Sequence, residues 1–169
     1  MKKWKFPLFC IWIVICLMLN YGGRMLSIHL SLPVWLDSLG TVLCAYVAGP
    51  LCGAMVGLTT NLVFYVTIGY NWVYGLISIL IAVIVGIAAH RKRMDDLFGI
   101  MTVGGIMALA CTAACVPLNY FMNDGSTGNI WGDAVIGYLR ELSMPDVLCL
   151  SIGQLYVEML DKLLIMLLL

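Results

Sequence analysis

Three ionisable side chains lie where a lipid-facing sequence should not hold them. Glu158, Asp161 and Lys162 fall within an apolar run from about Val147 to Leu169. An unpaired charge at membrane depth costs about 2.5 kcal/mol or more, even on lenient insertion scales. Glu158 and Lys162 are four positions apart and share a helix face, where they can pair. Asp161, beside Lys162, leaves the trio net negative if all three are ionised. The compensating group stays open at this level: a basic residue elsewhere in the bundle such as Arg24, water in a cavity, a proton, or a ligand.

Other polar residues gather at one end of the apolar segments. Asp37 precedes Ser38, Leu39, Gly40 and Thr41, either as a helix N-cap satisfying free backbone donors or as a ligand contact. Asn61 sits within a third apolar segment, where an amide needs partners. Asn119, Asn123 and Asp124 mark the end of a fifth, and Trp72 and Tyr74 open a fourth, where they could stack on a flat ring. Each admits a purely structural hydrogen-bonding role, so their clustering is the stronger observation. The candidate pocket is Asp37, Asn61, Trp72, Asn123, Glu158, Asp161 and Lys162, the charged members holding polar groups and Trp72 covering an apolar ring.

Enzymatic chemistry has no comparable support. The chain contains no phosphate-cradling Gly-x-x-x-x-Gly-Lys, no His-Glu-x-x-His and no Gly-x-Ser-x-Gly. His29 and His90 are expected on opposite sides of a membrane. The seven cysteines lie in apolar stretches without the spacing of a disulfide scaffold. Cys111 and Cys115 would share a helix face, with no third ligand nearby to complete a metal site. A binder or conduit is expected, not an enzyme, with no metal or cofactor.

These residues must be positioned by membrane helices. Of 169 residues, 63% are hydrophobic and 11% charged, and the mean hydropathy is +1.03. A water-soluble domain carries roughly a quarter charged residues, so a soluble globule is excluded. Six apolar segments can be drawn: about Pro7–Asn20, Val34–Val47, Leu51–Ile68, Trp72–Ala89, Leu97–Phe121 and Val147–Leu169. The reading is an all-α bundle of six transmembrane helices, a single domain over residues 1–169 with no room for a separate soluble module. The N-terminal Lys2, Lys3, Trp4 and Lys5 with the following apolar run read as a retained first span, not a cleaved signal.

Lys2, Lys3 and Lys5, with Arg91, Lys92 and Arg93, place both termini in the cytoplasm by the positive-inside rule. Loops 21–33, 69–71 and 123–146 then face outward, and residues 133–142 fit a short amphipathic surface helix. If residues 147–153 form a re-entrant element, the last helix starts near Gln154 and the charged trio lies in its outer half. Balanced charge, with nine basic and nine acidic residues, gives no sign of a nucleic-acid partner.

Ala45, Gly49, Gly53 and Gly57 recur every four residues, with Gly49 in the turn. Small residues at this spacing let helix backbones approach closely, either inside the bundle or against a partner's helix. The stretch Leu32 to Thr41, with its Asp37-x-x-Gly40-Thr41 entry, continues to Gly49-Pro50-x-x-Gly53-Ala54-x-x-Gly57. Together with the closing Asp161-Lys162 segment, it resembles the substrate-capture subunit, or S component, of energy-coupling factor (ECF) transporters, over nearly the whole chain.

The resemblance implies a cell-membrane subunit of bacteria or archaea. It would bind a vitamin or similar micronutrient from outside and work with a transmembrane coupling protein and an ATPase pair. By analogy, loop 21–33 would be the lid and Arg24 its contact to an anionic group. The small-residue stripe of Ala45, Gly49, Gly53 and Gly57 would suit helix packing or docking to the coupling protein. In one respect the chain departs from the family: span one, from Phe9 to Met18, is bulky where many members carry Ala-x-x-x-Ala. The alternative reading is a ligand-sensing or accessory membrane subunit that moves nothing.

Overall fold

A computed structural model describes residues 6–169, with side chains from Pro7 onward. Lys2, Lys3, Trp4 and Lys5, on which part of the expected orientation rests, lie outside the described residues. Within them the chain is all-helical: α1 (Phe6–His29), α2 (Leu39–Ala48), α3 (Pro50–Ile68), α4 (Gly75–His90), α5 (Leu97–Met122), α6 (Ile130–Glu141) and α7 (Asp146–Leu167), with a 3-10 turn at Trp72–Tyr74 ahead of α4. Four stretches are long and apolar enough to cross a membrane: Pro7–His29, Pro50–Ile68, Trp72–His90 and Leu97–Met122. Their outward faces, such as Ile11, Met18, Val66, Phe98 and Phe121, are exposed apolar surface, which a bilayer would cover.

Two segments differ from the sequence-based expectation. The second is helical only over ten residues, about 15 Å of rise, roughly half the hydrocarbon thickness. Its first part, Val34–Ser38, is an irregular buried strap. Leu36 adopts φ 55° there, which a helix cannot accommodate. The last segment is an uninterrupted helix from Asp146, so residues 147–153 form no re-entrant element and the charged trio lies past the middle of α7. Loop 21–33 is also not a loop, because α1 continues to His29. The connection that folds over the bundle is residues 30–38.

Close backbone approaches organise the bundle. A Cβ on Gly40 would fall 1.9 Å from the Cys16 carbonyl oxygen, and one on Gly53 2.6 Å from the Ala45 Cβ. Gly57 similarly faces Ser78, and Gly86 faces Pro50. The small-residue stripe is therefore occupied within the chain at Ala45, Gly53 and Gly57. Gly49 ends α2 at φ 93°, as expected of a turn glycine. α2 thus sits between α1, α3 and α4, while α5 packs along α7 and α6 caps α7 from the side.

Asn20 ties the first three helices together. Its amide nitrogen donates to Thr41 Oγ1 at 2.9 Å and Thr60 Oγ1 at 3.0 Å. Its oxygen accepts from the backbone amides of Gly40 at 2.6 Å and Thr41 at 3.2 Å. Free amides at a helix start need such acceptors, and here the acceptor comes from another helix. Asn20 is fully buried.

Candidate functional site

At one end of the bundle the 30–38 strap and the 123–129 loop close over a small pocket of about 40 Å³. The two connections are joined to each other: Asn129 Nδ2 donates to the Leu32 carbonyl at 3.0 Å and Trp131 Nε1 to the Ser31 carbonyl at 2.7 Å. The outer loop is itself held by Asp133, whose Oδ1 accepts from the Thr127 amide and hydroxyl at 2.7 and 2.8 Å. Trp35 and Asp37 from the strap and Thr127 from the outer loop line the pocket.

The floor comes from α7. Lys162 Nζ lies 2.6 Å from Asp161 Oδ2 and 3.2 Å from Glu158 Oε2. Asp161 turns its other oxygen to the strap, accepting from the amides of Trp35 at 2.9 Å and Leu36 at 2.7 Å. Two successive backbone N–H groups converging on one oxygen form an anion-holding nest. Asp161 is fully buried and does not line the pocket. Its placement is that of a bolt between α7 and the strap, whereas Glu158 and Lys162 reach the pocket wall.

A relay of amides forms a second wall. Asn123 Nδ2 donates to the Tyr74 hydroxyl at 2.8 Å, and that hydroxyl donates to Asn119 Oδ1. Asn119 Nδ2 then donates to Gln154 Oε1 at 2.8 Å, and Gln154 Nε2 to Glu158 Oε1 at 2.9 Å. Buried polar groups are costly unless satisfied, and here each satisfies the next from the outer loop down to the charged trio. On the facing side Asn61 donates both amide protons, to the Gly57 carbonyl at 2.9 Å and to Ser78 Oγ at 2.8 Å.

Of the sequence-derived candidates, Asp37, Asn61, Glu158 and Lys162 are brought together around one space. Asn123 stands behind Tyr74 rather than in the wall. Trp72 is half exposed at the start of the 3-10 turn and does not line the pocket. The aromatic lining is Trp35, Tyr70 and Tyr74 instead. Arg24 belongs to α1 and not to a lid loop: its guanidinium lies 4.5 Å from the Trp35 ring centre and 4.8 Å from that of Tyr70. Stacked there, it braces the strap and the 69–71 connection.

Asp37 does not cap α2, whose N-cap is Ser38. Its carboxylate takes a hydrogen bond only from its own backbone amide. Burial pushes its pKa up, opposed by the charges of Arg24 and Lys162. Gln154 and Tyr70 were not among the candidates, and Asn119 was noted at the end of the fifth segment without being placed in the pocket. Gln154 and Asn119 carried a signal, being amides inside apolar runs, but Tyr70 carried none. All seven cysteines are unpaired. Among the described residues no His, Cys, Asp or Glu group is arranged to hold a metal ion. Compared with protein-family models, curated proteins and solved structures, the chain finds no match.

Proposed function

We propose that this chain is the substrate-capture subunit of an ECF-type importer, an S component binding a vitamin or similar micronutrient. One observation carries the reading: a polar, charged pocket at one end of an apolar helical bundle, roofed by two connections bonded to each other. Ionised groups at such depth are expensive and ordinarily mark a ligand path.

In this reading the pocket opens outward. Tyr70 and Tyr74 precede α4, while Arg91, Lys92 and Arg93 follow it, at the opposite end, which the positive-inside rule assigns to the cytoplasm. The chain supplies binding and not catalysis. A coupling protein and an ATPase pair supply the energy, and the exposed apolar faces of the bundle are available to the coupling protein and to lipid. Within the chain Ala45, Gly53 and Gly57 are already engaged in helix packing, so in this proposal docking uses other residues.

Expression of the chain with an affinity tag in its native membrane tests the reading. Co-isolation of a transmembrane coupling protein and two ATPases, together with a retained small molecule, is the expected result. Retention of a small molecule without any such partners would favour a sensing or accessory subunit, and retention of neither would end the proposal.

A further inference from the structure

Two acceptors of the pocket wall, the Asn61 oxygen and the Asp37 carboxylate, take no hydrogen bond from any other described residue. In the amide relay one proton each of Asn123, Tyr74, Asn119 and Gln154 points along the wall towards Glu158. Lys162 is engaged by Asp161 and Glu158. Asn61 has given both its amide protons to Gly57 and Ser78, and because the Gly57 carbonyl can only accept, its nitrogen is fixed on that side and its oxygen is left free. Glu158 is already engaged, its Oε2 ion-paired with Lys162 at 3.2 Å and its Oε1 accepting from Gln154. Asp37 has no side-chain partner within bonding distance and faces the same space. Donors remain in the wall as well: the hydroxyls of Tyr70 and Ser78, the Trp35 indole N–H and the second amide protons of Asn119 and Gln154.

Charge points the same way. Around the pocket three carboxylates, Asp37, Glu158 and Asp161, face two cations, Arg24 and Lys162. Lys162 is committed to the trio, while Arg24 lies against two aromatic rings outside the pocket wall, its Nε without a hydrogen-bond partner. Within the wall itself an anionic ligand would find Lys162 already held and would meet Asp37. A cation would meet free acceptors, an unpaired carboxylate, and aromatic walls whose faces attract positive charge.

Resting on the capture role proposed above, we infer that the pocket selects a small organic cation bearing N–H donors, with Asp37 as its counter-ion and the Asn61 oxygen as a second acceptor. Buried charge pairing of this kind makes up much of an affinity, and truncating one member typically lowers it by more than about tenfold. Asp37 is a suitable site for the test because it holds no other part of the fold in place.

The experiment exposes the purified full chain to the small molecules of yeast extract. Retained species are read by native mass spectrometry for wild type, Asp37→Asn and Asp37→Glu, all checked for equal folding by thermal unfolding. The expected result is a retained compound positively charged at neutral pH, lost on Asp37→Asn and partly recovered with Asp37→Glu. Retention of an anion or a neutral compound, or unchanged retention by Asp37→Asn, overturns the ligand class and leaves capture standing. Retention of nothing by wild type overturns both.

Discussion

The backbone nitrogen of Leu36 donates to Asp161 Oδ1 at 2.7 Å, joining positions 125 residues apart. Leu36 holds φ 55°, a conformation an L-residue adopts at a cost, and the carboxylate repays that cost by taking two amides at once. The roof of the pocket is therefore fastened to the same helix that supplies its charged floor.

Replacing Asp161 with Ala leaves Lys162 short of one counter-ion and the Trp35 and Leu36 amides without an acceptor. Breaking a buried pair in this way costs about 3–5 kcal/mol. Asp161→Asn keeps an acceptor oxygen for the strap and should lose less. Hydrogen exchange in detergent reads the difference: the Trp35 and Leu36 amides should exchange fast in the Ala variant and slowly in the Asn variant. Equal protection in wild type and Asp161→Ala would show that the strap is held by something else.

Asn20 offers a parallel case at the other end of the strap. Asn20→Ala strips the Gly40 and Thr41 amides of their acceptor at the start of α2, an unsatisfied burial worth about 1–3 kcal/mol per group. The thermal unfolding midpoint should fall clearly, while Asn20→Asp, which keeps the acceptor oxygen but loses the donations to Thr41 and Thr60, should fall by a different amount. An unchanged midpoint for Asn20→Ala would mean that α2 does not depend on this cap.

Much of this arrangement could be read from residue types, and the exceptions have physical causes. Asp37, Asn61, Glu158 and Lys162 announced themselves because a polar atom among apolar neighbours demands a partner. The strap did not: Val34, Trp35 and Leu36 are as apolar as any helix, and only the distant Asp161 makes an irregular path stable there. Arg24 was expected in a loop, yet α1 continues past it, and Gly23 packs closely against the strap while Gly22 has nothing within 4 Å. A Cβ on Gly23 would lie 2.1 Å from the Leu36 carbonyl oxygen. Trp72 was expected to cover a ligand ring, but it is half exposed, and Tyr70 and Tyr74 line the pocket instead in stacked contact, with ring centres 4.9 Å apart.

Acidification gives a third test, centred on Asp37. The groups facing it are Arg24 from α1, Cys111 and Cys115 from α5, Glu158, Asp161 and Lys162 from α7, and Tyr70 after α3. Burial, the largest influence, raises its pKa above the ordinary 3.8. A raised folded-state carboxyl favours the empty protein at low pH and loses that advantage as pH rises through the folded value. Binding of a cation runs in the opposite direction, because it needs the ionised form. Retention of a cationic compound should therefore weaken as pH falls towards Asp37's raised value, before an ordinary carboxylate would protonate. The Asp37→Asn variant should lose retention at every pH, and retention by it with the same pH dependence would place the titrating group elsewhere.

Two tryptophans separate a pocket role from a surface role. Trp35 lines the pocket, is 7% exposed and sits on the Arg24 guanidinium, so Trp35→Ala removes wall surface and frees a buried cation together. Trp72 is 50% exposed at the foot of α4 and touches neither. Truncating a buried aromatic costs about 3–5 kcal/mol, whereas a surface change usually stays within about 0.5 kcal/mol. Trp35→Ala should lower the unfolding midpoint and abolish retention of the bound compound, and Trp35→Phe should restore part of both. Trp72→Ala should leave retention intact. If Trp72→Ala abolished retention in a folded protein and Trp35→Ala did not, the binding site would lie outside the space beneath the strap, and Asp37 would lose its assignment with it.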